Sequence, residues 1–518
     1  MTKFHRPLVL CCSVLALSAC GADEIASPGS GGDIIINNPT PTPSPAPSPT
    51  GGASPVTAAA SCPTISDGLT DSGVLNVPGG TVRVCTLPRR FTASTTLPYI
   101  SGVAYRMNGR VDVGTDGGPT ASANDTNVTL TIEPGVVVYA GTGLSYLVVN
   151  RANKINAVGT ATQPVIFTSE QNVLGNATDD SSQQWGGVVL LGRAPITDCA
   201  AGGATPGTVD CERDTEGSPD PALYGGATPT DSSGKLQYVQ IRYSGFVLSA
   251  NSELQSLTTG GTGSGTELSH IMSFNSSDDA FEFFGGVVNA KYLVAVGAED
   301  DVLDTDTGVQ AQFQYVLSIQ REGQGDSMIE ADTNNSSTGH TPRQDTVVSN
   351  ATFIQRSTAG SNNAAMLIRG GADYKLLNTV VHSPNRSCLR LSLADTIQQT
   401  GTDENGPPEF RSVVMQCASP AFLGTDGVTE ADVQSIFNAG TNNNANFTTT
   451  LASGFINGSN ESAVTPFNAS TISSFFDNTS YIGAVRDSSD TWYTGWTCNS
   501  AAANLGASNK ACTTSPVT

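Results

Sequence analysis

The chain has 518 residues, with 24 Lys and Arg against 46 Asp and Glu, so its formal net charge is −22. Such an acidic chain repels nucleic acid and anionic lipid headgroups, and it favours cations or neutral and basic surfaces as partners. Acidity also keeps exported proteins soluble. Only 14% of the residues are charged and 55 are Gly, which suits short strands joined by turns better than long helices.

Residues 1–19 have the pattern of a secretory signal, in which Lys3 and Arg6 precede an apolar segment. The segment ends in Leu17-Ser18-Ala19-Cys20, which resembles the lipobox of bacterial lipoproteins. That resemblance implies a lipid on Cys20 and, because no aspartate follows the cysteine, a place in the outer membrane. No later stretch has the roughly 20 apolar residues that a spanning helix needs. We therefore expect an anchored protein, exposed at the surface or released from it.

Residues 20–61 are rich in Gly, Ser and Pro, with proline at alternate positions from Pro39 to Pro49. Such a segment cannot bury a core, and alternating proline keeps it extended and disordered. We predict a linker that holds the folded part away from the membrane.

Eight cysteines remain after Cys11, Cys12 and Cys20 are assigned to the signal and anchor. An even number in an exported chain predicts disulfide bonds, whereas metal binding is disfavoured because no C-x-x-C spacing occurs. Proximity in sequence suggests four pairs: Cys62 with Cys85, Cys199 with Cys211, Cys388 with Cys417, and Cys498 with Cys512.

The segment from Asn275 to Gly308 contains one pattern twice. Asp278-Asp279-Ala280-Phe281-Glu282-Phe283 is followed 22 residues later by Asp300-Asp301-Val302-Leu303-Asp304-Thr305, with one apolar run between them. Short strands at this period, without a helical pattern, are typical of a solenoid. We predict an all-β fold, a parallel β-helix over residues 130–425. N- and C-terminal caps are expected over residues 62–129 and 426–518, the latter with a short helix from Ala431 to Asn438.

Three stretches carry a resemblance to a known family: Thr131-Ile132-Glu133-Pro134-Gly135, the run from Ile155 to Ser169, and the run from Trp185 to Ile196. They are similar to surface lipoproteins of Gram-negative bacteria, a poorly characterised family of right-handed β-helix proteins. The resemblance covers most of the chain after the linker. It implies an architecture and a location more than a reaction. Because such proteins accompany TonB-dependent receptors, it also implies a part in nutrient acquisition, with such a receptor or an extracellular glycan or enzyme as partner.

Two series of strands can be superimposed by pattern. The first contains Leu236–Ile241, His270–Met272, Tyr292–Val294, Tyr315–Leu317, Val347–Val348, Leu376–Leu377 and Val413–Met415. The second contains Phe281–Phe283, Leu303–Thr305, Ile329–Ala331, Ile368–Arg369, Leu389–Leu391 and Phe422. Side chains alternate along a strand, so the middle residue of each triplet in the second series should face outward. This alignment predicts an outward column of Glu282, Asp304, Glu330, Arg369 and Arg390.

Further acids flank that column, with Asp278, Asp300 and Asp326 in one row and Asp306 and Asp332 in another. Stacked carboxylates about 5 Å apart repel one another by about 3 kcal/mol at an effective dielectric of 20. Solvent screening with Arg369 and Arg390 is one compensation, and protonation for acid/base catalysis is another. A bound Ca²⁺ is the third. The candidate metal ligands are Asp278, Asp279, Glu282, Asp300, Asp301, Asp304, Asp306 and Glu330.

Catalysis is the less favoured interpretation. Ser277-Asp278-Asp279-Ala280 resembles the paired aspartates of polygalacturonase-like hydrolases, but the Gly-His-Gly and Arg-x-Lys elements of that family are missing. We therefore assign no catalytic residue and expect a binding or accessory module. A carbohydrate-active enzyme using Asp278, Asp279, Glu282 and Asp304 is the first alternative, and a Ca²⁺-stabilised adhesin or matrix protein is the second. Long insertions at Thr197–Ser233, Arg321–Arg343 and Asp395–Glu409 are the expected places for binding.

Overall fold

The computed structural model describes residues 55–141, 143–216, 218, 220–249, 252–333 and 338–517. The predicted signal, the predicted lipidation site Cys20 and most of the predicted proline-rich linker lie outside these residues. The last residues of the predicted linker pack on the folded part, since Val56 pairs with Gly80 and the Ala59 amide donates to the Gly102 carbonyl.

Thirty strands and three short α-helices make up the regular structure of the described residues. The first strands are β1 Thr70–Val77, β2 Gly80–Thr86, β3 Arg90–Phe91, β4 Thr95–Leu97, β5 Val103–Met107, β6 Arg110–Val113, β7 Thr129–Ile132, β8 Val137–Ala140, β9 Tyr146–Val149, β10 Lys154–Val158, β11 Val165–Ser169, β12 Val188–Leu191, β13 Arg213–Asp214, β14 Leu223–Tyr224 and β15 Gly234–Arg242. They continue with β16 Phe246–Ser249, β17 Ser252–Leu254, β18 Leu257–Gly260, β19 Glu267–Phe274, β20 Phe281–Phe284, β21 Val287–Val296, β22 Leu303–Asp306, β23 Gln310–Ile319, β24 Ile329–Ala331, β25 Asp345–Ile354, β26 Ala364–Ile368, β27 Asp373–Ser383, β28 Ser387–Ser392, β29 Glu409–Cys417 and β30 Phe422–Thr425. The α-helices are α1 Glu170–Val173, α2 Glu430–Ala439 and α3 Ser459–Ser462, and 3₁₀ turns occur at Ala394–Ile397 and Ala469–Thr471.

The strands form two long sheets. Sheet A has the order β1-β2-β5-β8-β11-β15-β19-β21-β23-β25-β27-β29, and sheet B has the order β3-β6-β9-β12-β18-β20-β22-β24-β26-β28-β30. From β19 to β30 the chain alternates between the two sheets, and successive strands within each sheet are parallel. The predicted parallel β-helix is therefore confirmed. Parallel stacking already includes β2, β5 and β8, so it begins within the segment that the sequence assigns to an N-terminal cap.

Side-chain alternation explains how the core forms. In β20, Phe281 and Phe283 are fully buried inside the coil, while Glu282 between them points away from it. Leu303 and Thr305 repeat this arrangement in β22. The core is a continuous apolar column that extends from the first rungs to α2, because each rung places its inward residues on those of the rung before it.

Each long strand of sheet A from β15 onward contains one residue whose backbone has the left-handed conformation, with positive φ. It is Tyr238 in β15, His270 in β19, Tyr292 in β21 and Tyr315 in β23, with φ between 52° and 62°. Asn350, Asn378 and Ser412 continue the column in β25, β27 and β29. The four rings stack with centroids 4.2, 4.4 and 4.7 Å apart. Ring stacking therefore accompanies the residue of positive φ in the first four of these strands.

The C-terminal region covers one end and one side of the coil. Helix α2, which agrees with the predicted helix, begins at a capping box of Thr429 and Asp432 and places Phe437 over the last rungs. Further along the chain, Trp496 packs on the outer face of sheet A, against residues that include Phe274. Among the described residues, none of the helices is long and apolar enough to cross a membrane.

All four predicted disulfides are present, and the pairing inferred from proximity in sequence is confirmed. The bonds join Cys62 to Cys85, Cys199 to Cys211, Cys388 to Cys417, and Cys498 to Cys512.

Two of these bonds tie peripheral segments to buried residues. Cys85 in β2 belongs to the main core and is fully buried, so its bond fastens the start of the folded part at Cys62 to the first rungs. Cys211 is also fully buried, in a smaller apolar cluster with Tyr224, and its bond to Cys199 closes a loop inside the long insertion after β12. The insertion is thus cross-linked as well as packed.

Candidate cation-binding site

Glu282, Asp304 and Glu330 are paired residues on three successive strands of sheet B. They face away from the coil because their neighbours on both sides, such as Phe281 and Phe283, enter the core. Gly285 and Gly286 follow β20 with φ of 60° and 83°, and a Cβ on Gly286 would lie 2.3 Å from the Thr262 carbonyl oxygen. Glycine is therefore required at the turn that leads the chain from the acidic strand back to sheet A.

The predicted alignment is wrong at Arg369. The ladder pairs Glu330 with Leu367, and Leu367 with Arg390, so Leu367 occupies the place that the sequence assigned to Arg369. Strand β26 is apolar and buried on both faces, so it has no alternation from which the register could be read. Arg369 lies two residues later and reaches back, with its Nη2 atom 2.8 Å from Glu330 Oε1 and 2.6 Å from Asp332 Oδ2.

A second row of acids precedes the strands of sheet B. The Asp279 Oδ1 atom accepts a hydrogen bond of 2.8 Å from the Asp301 amide on the next rung, and Asp301 in turn accepts one from the Ser327 amide. Each carboxylate thus uses one oxygen to join two rungs. Asp278 lies beside this row, where its Oδ2 atom accepts a hydrogen bond of 3.1 Å from the Gln255 amide.

The outward column of Glu282, Asp304 and Glu330 and the row of Asp279 and Asp301 line one cavity of about 160 Å³, here called the acidic pocket. It is lined by Glu216, Glu253, Gln255, Asp278, Asp279, Glu282, Asp300, Asp301, Asp304 and Glu330. Seven of the eight predicted ligands are therefore brought together. Asp306 is not among the lining residues. Its Oδ1 atom accepts a hydrogen bond of 2.5 Å from the Thr307 amide beyond the end of β22.

Three lining residues were missed by sequence reasoning. Glu216 comes from the insertion between β12 and β15, and Glu253 and Gln255 come from the β16–β17 hairpin and the residue that follows it. Neither segment belongs to the repeating pattern. The one available signal was the length of the Thr197–Ser233 insertion, which was expected to carry binding residues. The insertion and the hairpin both line the pocket beside Glu282, which is only 6% exposed although it faces away from the core.

Burial and mutual repulsion raise the pKa of the carboxyl groups in the pocket. Desolvation is the main cause and neighbouring carboxylates are the second, so that the pKa of Asp278 is about 8 and that of Asp300, at the pocket mouth, is about 6. Desolvation also raises the pKa of Glu216 to about 7. The pKa values of Asp279, Glu282, Asp301 and Asp304 are raised well above the usual range by the same two causes.

Two oxygen atoms in the pocket are buried without a hydrogen-bond partner among the described residues. They are Glu282 Oε2 and Asp304 Oδ1. Among the described residues, Arg369 is the one basic side chain that forms a salt bridge with any of the eight predicted ligands, and its partner is Glu330. Buried carboxylate oxygens without a donor or a positive charge destabilise the folded state unless they are protonated or bind a cation.

The donor set matches a hard divalent cation. Two groups of three residues, Asp278 with Asp279 and Asp300, and Asp279 with Glu282 and Asp304, offer carboxylate oxygens that all lie within 4.8 Å of one another in each group. Ca²⁺ takes six to eight oxygen ligands, and the side chains of the pocket offer carboxylate and amide oxygens. The described lining has no His or Cys, the ligands that zinc and copper sites use.

The sequence was also compared with known proteins. A family model described as a pectate-lyase-like beta helix domain matches residues 118–497, a span that includes the acidic pocket. Comparisons with curated proteins and with solved structures find no match. The matched span covers most of the chain and agrees with the stacked parallel strands that the structure contains. The chain therefore belongs to the pectate-lyase-like β-helix family.

Proposed function

We propose that the acidic pocket binds a divalent cation, with Ca²⁺ preferred, and that the protein is an exported binding module. The observation that carries this proposal is the convergence of nine carboxyl groups on one cavity in which Glu282 Oε2 and Asp304 Oδ1 have no described hydrogen-bond donor. A bound cation would supply the missing positive charge and would coordinate these oxygens. It would also lower the pKa values of the carboxyl groups, because a nearby positive charge favours their ionised form.

Calorimetric titration of the purified protein with CaCl₂, after treatment with EDTA, tests the proposal. We expect saturable binding and a higher melting temperature in CaCl₂ than in EDTA, since a ligand that binds only the native state stabilises it. The double variant Glu282→Gln/Asp304→Asn should lose both effects. Glu430→Gln, an exposed acid at the first turn of α2, is the matched control and should retain both. Binding that persists unchanged in the double variant would contradict the proposal.

The location that we propose is the outer membrane, with a lipid on Cys20, and exposure at the cell surface or release from it. The secretory pattern of residues 1–19, the lipobox-like residues before Cys20 and the proline-rich linker support this location. Four disulfides in the folded part agree with an oxidising compartment outside the cytoplasm. Metabolic labelling with an alkyne fatty acid should modify the wild-type protein and should fail to modify a Cys20→Ala variant.

For the biological role, we propose an accessory part in nutrient acquisition, with a TonB-dependent receptor or an extracellular glycan or enzyme as partner. The rigid coil with long insertions supports a binding role, because such insertions are where binding residues usually lie. A bound cation facing an open pocket could also coordinate acidic groups of a partner. Affinity purification from outer membranes in CaCl₂ and in EDTA tests this role, and a receptor should be recovered with the wild-type protein.

The second candidate function is a carbohydrate-active enzyme, which the family match favours. Its acid and base would be drawn from Asp278, Asp279, Glu282 and Asp304, since raised pKa values keep some of these groups protonated near neutral pH. Assays on a panel of neutral and acidic polysaccharides decide between the two functions. Turnover that disappears in Asp279→Asn and Asp304→Asn variants would support the enzyme, and a lack of turnover in a calcium-binding wild-type protein would support the binding module.

A further inference from the structure

A second cavity, of about 340 Å³, lies over the outer face of sheet A. Its floor is formed by Val137, Ile166 and Gln240, which are paired residues of β8, β11 and β15. The C-terminal segment from Gly495 to Val517 forms one wall, and loops around Tyr99 and Gln163 form another. Because the acidic pocket lies on sheet B, this cavity is separate from it and does not depend on the proposed cation.

The charge of this cavity is opposite to that of the protein. Arg242 and Lys510 are among its lining residues, and no Asp or Glu is among those that the structure describes there. This composition is unusual in a chain in which acidic residues outnumber basic ones by 46 to 24. A cavity with positive charge and no acid is suited to an anion.

Arg242 differs from the other buried arginines of the described chain. Six arginines are buried, and five of them form salt bridges with carboxylates: Arg151, Arg193, Arg321, Arg343 and Arg386. Arg242 is 4% exposed and has no carboxylate within salt-bridge distance among the described residues. A buried charge without a counter-charge opposes folding. Among the six buried arginines, Arg242 alone lacks a carboxylate partner in the part of the chain that the structure describes.

Neutral groups hold the Arg242 side chain in place. Its Nε atom donates to Gln240 Oε1 at 2.6 Å, and its Nη1 atom donates to the Cys512 carbonyl oxygen at 3.0 Å. No described residue accepts a hydrogen bond from its Nη2 atom. Burial lowers the pKa of the guanidinium to about 10, so that it is still protonated at neutral pH. The guanidinium is thus fixed, charged and able to donate a further hydrogen bond.

We propose that this cavity binds a small hydroxylated carboxylate whose carboxylate group pairs with Arg242. Guanidinium and carboxylate groups match in geometry and form strong charge-assisted hydrogen bonds. The hydroxyl groups of the ligand would meet Thr162 and Gln163, and its carbon skeleton would pack on Val137 and Ile166. A volume of about 340 Å³ is at the lower end of the range for small-molecule pockets, so the ligand is the size of a single sugar acid or smaller.

Calorimetric titration of the purified protein with sodium gluconate tests the proposal, with glucose as a neutral probe of similar size and inorganic phosphate as a second anion. We expect saturable binding of gluconate, no binding of glucose and weaker binding of phosphate. Arg242→Met should lower the affinity for gluconate at least tenfold, whereas Arg242→Lys should retain part of it because the charge remains. Glucose binding as tight as gluconate binding, or phosphate binding that is tighter, would overturn the proposal.

A variant at the cavity mouth tests the same site without changing Arg242, so this test does not depend on whether the Arg242 variants fold. Ala511 is an exposed lining residue, so Ala511→Trp should leave the melting temperature near that of the wild type while it blocks access. Lys154→Gln removes an exposed lysine that does not line the cavity and serves as the control. Gluconate binding should be lost in Ala511→Trp and unchanged in Lys154→Gln. Wild-type affinity in Ala511→Trp would place the binding elsewhere and would refute the assignment.

Discussion

Glu282 and Asp304 are directly paired across two adjacent parallel strands, and each has a carboxylate oxygen that no described donor satisfies. Two unit charges about 5 Å apart at an effective dielectric of 20 repel by about 3 kcal/mol. The pair therefore opposes folding unless a proton or a cation lies between its members. This relationship links the fold to the site, because the stacking that builds the core also forces these acids together.

The first prediction concerns that repulsion. At a pH high enough to ionise both groups, Glu282→Gln/Asp304→Asn should raise the free energy of unfolding in EDTA, by about 3 kcal/mol at most, because amides of the same shape carry no charge. In CaCl₂ the order should reverse, with the wild type becoming the more stable protein. Chemical denaturation in both buffers measures the two differences. A double variant that is less stable than the wild type in EDTA would show that the pair is stabilising without a cation.

The second prediction is a pH dependence. The pKa of Asp278 is about 8 and that of Glu216 about 7 in the folded protein, both above their ordinary values near 4. The folded state therefore holds protons that the unfolded state has lost, so in EDTA its stability should fall as pH rises from 6 to 9. Saturating CaCl₂ should flatten the decrease by favouring the ionised groups. Melting temperatures across this pH range provide the measurement, and a rise with pH in EDTA would contradict the prediction.

The third prediction concerns the core behind the acidic strand. Phe283 is fully buried and lies against Phe313, with ring centroids 4.9 Å apart. Phe283→Ala should lower the free energy of unfolding by about 3 to 5 kcal/mol, since it leaves a cavity inside a close-packed coil. Ile472→Ala, at a 39% exposed position, is the control and should cost little. Equal losses in the two variants, measured by denaturant unfolding, would argue against the inward orientation of Phe283.

The fourth prediction concerns the column of positive-φ residues in sheet A. His270 has a φ of 52° and stacks between Tyr238 and Tyr292, and burial lowers the pKa of its ring to about 4, so the ring is neutral at pH 7. His270→Asn should lose only the stacking, about 0.5 to 1.5 kcal/mol for each ring contact. His270→Val should lose more, because a β-branched residue is strained at positive φ. Similar stability in the two variants would indicate that the left-handed backbone is not maintained.

The repeating part of the site was predictable from the sequence. Two copies of the same short pattern, 22 residues apart, predict stacked strands, and strict alternation in Phe281-Glu282-Phe283 predicts which side chains leave the core. The four disulfides were predictable for a similar reason, since each joins cysteines that are near neighbours in sequence and in space, as Cys62 and Cys85 are. The predicted strand register was wrong where polar and apolar residues do not alternate. Strand β26 is apolar throughout, and the prediction for Arg369 was wrong there.

The sequence by itself determined the coil and the acidic ladder, because both depend on a local period that each rung repeats. Only the tertiary structure decided which residues close the acidic pocket on sheet B and which residues line the second cavity on sheet A. Glu216 and Glu253 reach the acids from segments outside the repeat, and Arg242 meets the carbonyl of Cys512 across 270 positions of sequence. No periodicity links such residues. Their proximity results from how the insertions and the C-terminal segment pack on the coil. This packing depends on burial and shape complementarity, and a local sequence pattern does not determine it.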